Sequence, residues 1–141
     1  MTAGPSRANE ELHVDHVGIV VRDLEQATAV LARLFGIEVD EALDARDRLG
    51  VKTVFYNLAN ISIELLEPAD EQGRAARLGD DEARIEHVCL RVDDIEQAAQ
   101  DLSERGARWA SDAPVPVGRR LVRFSTPEST GGVMFQLLQQ T

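Results

Sequence analysis

His16-Val17-Gly18-Ile19-Val20-Val21-Arg22-Asp23-Leu24-Glu25-Gln26-Ala27-Thr28 recurs as His87-Val88-Cys89-Leu90-Arg91-Val92-Asp93-Asp94-Ile95-Glu96-Gln97-Ala98-Ala99. Seven of the thirteen positions are identical, and Ile19/Leu90 and Leu24/Ile95 exchange like for like. Two copies separated by 71 residues are too few and too widely spaced for a solenoid. They point to a duplicated module whose halves face each other. Equivalent residues then meet near a pseudo-twofold axis, so His16 and His87 can converge although they are distant in sequence.

Outward from each histidine the chain reads strand, then helix. His13 to Val21 and Arg84 to Val92 are rich in β-branched residues and read as strands. Asp23 and Asp94 stand where a carboxylate can accept the orphan N–H groups of a first helical turn. Apolar residues follow in helical spacing at Ala27, Val30, Leu31 and Leu34, and at Ala98, Ala99 and Leu102, with Gly36 and Gly106 as stops. Three further strands are expected per half. They are Ile37 to Leu43, Val51 to Leu58 and Ile61 to Glu67, then Ala107 to Ala110, Leu121 to Ser125 and Val133 to Leu138. Both halves therefore read β-α-β-β-β. The expected fold is α+β, a single domain over residues 13–139 built from modules at about 13–68 and 84–139. A linker at 69–83, with a short helical stretch from Arg74 to Leu78, joins them, and residues 1–12 read as a flexible tail.

A chain of 141 residues suits one domain that hides about 70% of its unfolded surface. Cys89 is the only cysteine, so no disulfide framework exists within the chain, and a reducing, cytoplasmic setting is expected. No apolar run approaches the ~20 residues of a membrane span, and the polar first residues lack the core of a secretory signal. A net charge of −10 argues against nucleic acid or anionic membrane as a partner. Arg119, Arg120 and Arg123 form the one basic cluster, a candidate anion site beside the plainer reading of a solvated edge.

Strand alternation sorts the polar residues by face. Val14, His16, Gly18 and Val20 share one face, as do Ser62, Glu64 and Leu66. So do Ile85, His87, Cys89 and Arg91, and in the final strand Met134, Gln136 and Leu138. Glu64 and Gln136 occupy corresponding places, which gives two polar pairs, His16/Glu64 and His87/Gln136. A carboxylate amid Ile61, Ile63, Leu65 and Leu66 is costly to bury alone, so solvent, an arginine or a metal must satisfy it. Two imidazoles, a carboxylate and an amide oxygen suit one borderline divalent ion such as Co²⁺, Mn²⁺, Ni²⁺, Zn²⁺ or Fe²⁺. That set leaves the site at about +1, which favours an anionic ligand, and Gly18, Ser62 and Cys89 leave room for one. Taken singly, each residue has a plainer role: a structural histidine, a solvent-facing glutamate, a packed cysteine.

The segments Asp15-His16-Val17-Gly18-Ile19, Ile63-Glu64-Leu65-Leu66-Glu67-Pro68, His87-Val88 through Ile95, and Gly131-Gly132-Val133-Met134-Phe135-Gln136-Leu137, in that order, resemble the vicinal oxygen chelate superfamily of glyoxalase, bleomycin resistance and dioxygenase proteins. Within it the chain resembles the methylmalonyl-CoA epimerases. The resemblance implies an open, U-shaped mixed sheet around one divalent metal held by His16, Glu64, His87 and Gln136, and a homodimer. It also implies a carboxylated acyl-CoA substrate whose α-proton is acidified by the metal, with Arg119, Arg120 and Arg123 available to its phosphates.

The chain departs from the epimerase pattern at several places. Gln136 stands where the family keeps a glutamate that is both ligand and base, and Thr53 where some members place another carboxylate. Leu49-Gly50 replaces a Gln-Gly pair, and Thr126-Pro127-Glu128-Ser129 replaces a His-Pro-Lys-Ser stretch. An amide cannot take up a proton at neutral pH, which leaves Glu64 as the catalytic acid-base candidate. The alternatives are a diverged metal-dependent lyase or isomerase of the same scaffold and a non-enzymatic drug-binding resistance protein; an extradiol dioxygenase fits less well.

Overall fold

The repeated aspartates are helix caps of the same kind. Asp23 accepts from the Gln26 amide at 3.0 Å and Asp94 from the Gln97 amide at 3.0 Å. The first caps α1 (Leu24–Phe35), which follows β1 (His13–Val21); the second caps α4 (Ile95–Glu104), which follows β5 (Ala83–Arg91). Gly36 closes α1 in the left-handed region at φ 67°, while α4 ends one residue sooner than expected, with Arg105 as its cap and Gly106 following. A second matched pair ties each helix to its sheet: Glu67 accepts from the Leu24 amide at 3.1 Å and Gln139 from the Ile95 amide at 2.9 Å. Removing the cap by Asp94→Ala is expected to cost about 1 kcal/mol, read from urea denaturation.

The computed structural model describes residues 11–141, so most of the expected tail lies outside the described residues. The remaining elements are β2 (Glu41–Ala45), α2 (Arg46–Leu49), β3 (Val51–Asn57), β4 (Ser62–Pro68), α3 (Glu71–Leu78), β6 (Val115–Val117), β7 (Arg120–Phe124) and β8 (Met134–Gln140). One eight-stranded sheet has the order β2-β3-β4-β1-β5-β8-β7-β6. β1 pairs antiparallel with β5 at the centre and parallel with β4, and β5 pairs parallel with β8. The order is symmetric about the β1/β5 seam, as the duplication requires. The mixed sheet is nearly closed into a barrel-like curve, with α1 and α4 packed on its outer face and α2 and α3 at the mouth of the inner one.

Two expected strands are placed differently. Ile37 to Leu43 is replaced by Glu41–Ala45, because Ile37 packs into the cluster of Val21, Val54, Tyr56 and Leu65. Ala107 to Ala110 makes only an isolated bridge from Trp109 to Ser125. Trp109 packs with Ile95, Ala99 and Leu137, and its indole N–H donates to Ser103 at 2.8 Å. The strand that pairs with β7 is Val115–Val117, with Pro116 in it; β6 is the sheet's last strand, where a missing N–H leaves no ladder bond broken. In the linker, Asp70 caps a helix that starts at Glu71 rather than near Arg74.

The concave face carries two apolar clusters. Val20, Ala45, Val51, Leu66 and Leu78 form one and Cys89, Val122 and Leu138 the other, with Leu49 and Val117 packed against both. Across the open side, Arg120 of β7 pairs with Glu41 of β2 at 2.6 Å, joining the two arms. The polar residues of interest lie on this same inward face.

Candidate metal centre

His16 and His87 sit on the paired central strands, in antiparallel register with Cys89 and Gly18 respectively. Glu64 lies beside Gly18 on β4, and Gln136 beside Cys89 on β8. All four side chains are buried, at 8% exposure or less. Gly18 is required here by close approach: a Cβ at this position would stand 2.1 Å from Cε1 of His87. The expected open space beside it is therefore filled by the imidazole itself.

Three of the four expected ligands converge. Nε2 of His16 lies 3.2 Å and Nε2 of His87 3.1 Å from the same Glu64 oxygen, and the two Nε2 atoms are 3.3 Å apart. Each ring turns its other nitrogen to an acidic neighbour, His16 Nδ1 to Asp15 at 2.8 Å and His87 Nδ1 to Glu86 at 3.0 Å. Glu86 is held in turn by Arg77 through two contacts of 2.8 Å. With Nδ1–H donating to carboxylates, both neutral rings aim Nε2 lone pairs at a carboxylate oxygen. Three acceptors cannot face one another unless a metal ion or protons lie between them. Ligand atoms at ~2.1 Å from one ion and at right angles stand about 3.0 Å apart, close to this triangle.

Gln136 supplies the second observation. Its Oε1 is buried and has no hydrogen-bond partner, a state that costs free energy unless something else takes up the lone pairs. The donor set of two imidazoles, one carboxylate and one orphaned amide oxygen fits a borderline divalent metal. Aromatic edges fix the rings: Phe55 meets His16 and Phe124 meets His87 with ring centroids 5.3 Å apart in each pair.

Without a cation the cluster holds protons instead. Burial opposes the charge on His16, but hydrogen bonds to Asp15, Cys89 and Glu64 outweigh it and push the imidazole up to about 11. His87 is raised as well; burial again opposes, and Glu64 and Glu86 prevail. Burial works against the Glu64 carboxylate too, yet the two imidazoles hold it well below the usual carboxylate range. An imidazole raised from 6.5 to about 11 adds stability that is whole below pH 6.5 and is lost as pH climbs toward 11. The thermal midpoint of the metal-free protein is therefore expected to fall between pH 7 and pH 10. A saturating divalent ion, which needs neutral imidazoles, should remove that fall. Parallel thermal scans with chelator and with Co²⁺ check both signs.

A cavity of about 690 Å³ opens onto the triad, lined by Glu64, His87 and Gln136 together with apolar Leu49, Leu66 and Phe124. The arginine trio does not gather there. Arg123 lines the cavity, with its guanidinium on the Ser111 carbonyl at 2.9 Å. Arg120 is engaged with Glu41 and lies over Phe55 on the His16 side, and Arg119 lines neither space. Arg48, Arg77 and Arg84, which sequence reasoning passed over, line the cavity as well. It also passed over Asp15 and Glu86 as ring partners, although extending the repeat one residue toward the N-terminus finds an acid in both copies. Cys89 is buried with Val122 and Leu138, beside His16 in the sheet register.

The family model of the glyoxalase/bleomycin resistance protein/dioxygenase superfamily matches residues 15–125. The chain belongs to this superfamily. Among its relatives, the mitochondrial methylmalonyl-CoA epimerase of Bos taurus is 36% identical over 129 residues, covering 89% of this chain and 73% of the relative. The ethylmalonyl-CoA/methylmalonyl-CoA epimerase of Cereibacter sphaeroides is 35% identical over 130 residues, covering 89% and 96%. The fold superposes on methylmalonyl-CoA epimerase from Mycobacterium tuberculosis with a TM-score of 0.82 at 24% identity, covering 92% of this chain and 88% of that one. The chain is an enzyme, an epimerase-like isomerase. Among the described residues no helix is long and apolar enough to cross a membrane.

Proposed function

We propose that the protein is a divalent-metal-dependent isomerase that enolises a carboxylated acyl-CoA thioester, a substrate class supported by its likeness to proteins named methylmalonyl-CoA epimerase. The observation that carries this reading is the triangle of His16, His87 and Glu64 donor atoms beside the orphaned oxygen of Gln136. Those four residues would hold the ion, whichever of Co²⁺, Mn²⁺, Ni²⁺, Zn²⁺ or Fe²⁺ it is. When bound, it draws charge from the oxygens flanking the α-carbon and so acidifies the proton there.

The chain's own residues do the remaining work. Asp15 and Glu86 hold the rings in the tautomer that presents Nε2. Leu49, Leu66 and Phe124 form an apolar wall that keeps water from the reacting carbon. Glu64 takes the α-proton from one face of the carbon. The proton that returns to the opposite face comes from Glu64 by way of water or a substrate group, since Gln136 cannot carry it. Arg48, Arg84 and Arg123 line the cavity where thioester phosphates or the free carboxylate can be met. In this reading the enzyme works as a homodimer in the cytoplasm, a setting that suits its single buried thiol.

Deuterium uptake at C2 of methylmalonyl-CoA by metal-loaded protein tests the reading, and no exchange would sink it. A second reading is favoured by Gln136 itself, since an amide on β8 supplies no second base on that side. It keeps the metal and assigns a diverged lyase or isomerase reaction on another small molecule. Gln136→Glu separates the two: a large gain of epimerase activity from a silent parent supports divergence, and no change counts against it.

A further inference from the structure

The two halves of the site differ in what stands behind each polar ligand. On β3, Thr53 pairs with Leu66 and Phe55 with Glu64; on β7, Val122 pairs with Leu138 and Phe124 with Gln136. Thr53 and Val122 are thus equivalent under the duplication, as are Glu64 and Gln136. The hydroxyl is present only behind the carboxylate. Its Oγ1 lies 2.6 Å from Glu64 Oε2 and 3.1 Å from the Leu65 carbonyl. Both neighbours are acceptors only, so the single hydroxyl proton goes to the shorter, charged contact. Both Thr53 and Val122 are buried, at 4% and 2% exposure, so an apolar side chain of similar volume already fills the equivalent place on β7.

We propose that Thr53 is the positioning residue of the metal centre: its hydroxyl engages Oε2 of Glu64, so that the carboxylate offers the ion Oε1 alone. Oε1 is the oxygen that faces both imidazoles. Tying back the second oxygen stops the carboxylate from rotating and from closing on the ion through both atoms. That leaves coordination positions for substrate oxygens. The inference deepens the metal-dependent reading and rests on it.

The test is Co²⁺ binding, by chelator competition and by the visible spectrum of the Co²⁺-loaded protein. Thr53→Val keeps the volume and removes the hydroxyl. It is expected to weaken Co²⁺ by about 10–100-fold, with Thr53→Ser staying within about threefold of the parent. The Val variant should also show a weaker visible band as Glu64 turns bidentate and coordination rises. Thr53→Ala serves as a second variant with the same expected loss. A folded Thr53→Val or Thr53→Ala protein with parental affinity and spectrum overturns the assignment, as does a Ser variant as weak as Val. A parent protein that takes up no Co²⁺ overturns the metal reading and this inference together, whereas a parent that binds while the variants match it overturns the inference alone.

Discussion

Glu64→Gln is expected to slow deuterium exchange at C2 of methylmalonyl-CoA by about 10²–10⁴-fold at saturating metal. The substitution preserves shape and leaves one amide oxygen, which can face the imidazoles and the ion or accept from Thr53 but not both. What it removes is the ability to take up a proton, because the site would then hold two amides, at 64 and at Gln136. It also removes the one carboxylate among the four candidate ligands, so metal affinity falls and the ion must be supplied in excess. The rate at saturation is the quantity that matters. An unchanged rate there would show that Glu64 is a ligand only, and that the proton is carried by another group lining the cavity.

His16→Ala is expected to have the largest effect on the centre itself. Loss of a ligand should exceed the roughly 10–100-fold that a supporting partner contributes to metal affinity. The metal-free protein suffers as well. His16 is buried between Asp15 at 2.8 Å and Glu64 at 3.2 Å, and its removal strands part of that negative charge in the interior. Breaking a buried pair in this way costs about 3–5 kcal/mol. Urea denaturation of the chelator-treated protein reads the stability loss, and Co²⁺ competition reads the affinity. Parental values in both would remove His16 from the site. The contrast with Asp15→Asn is informative, since an amide oxygen can still accept from Nδ1 and the ring stays in place.

The convergence of His16, Glu64, His87 and Gln136 on one face was legible because side chains alternate strictly along a strand. Once the strands are recognised, parity assigns the face. The duplicated aspartates were legible for a similar reason, since a cap acts on amides only three residues away. The arginines were not legible. Arg119, Arg120 and Arg123 are neighbours in sequence, but one lines the cavity, one is engaged with Glu41 across the sheet's open side, and one lines neither space. Charge clustering along a chain says nothing of where guanidinium groups end when each side chain reaches several ångströms. β6 was missed because Pro116 argues against a strand wherever a full ladder is needed, and only the sheet order reveals an edge.

Local periodicity and internal repetition were enough to read from the chain the faces of the strands, the helix caps and the buried positions of His16, Glu64, His87 and Gln136. The folded chain was needed to show that three donor atoms share a triangle of 3.1–3.3 Å edges. It alone showed that Gly18 admits the His87 ring and that Thr53 bonds Glu64 while its counterpart on β7 is Val122. Those relations depend on the register between strands distant in sequence. Packing on both faces of the sheet sets that register, and no short-range pattern encodes it.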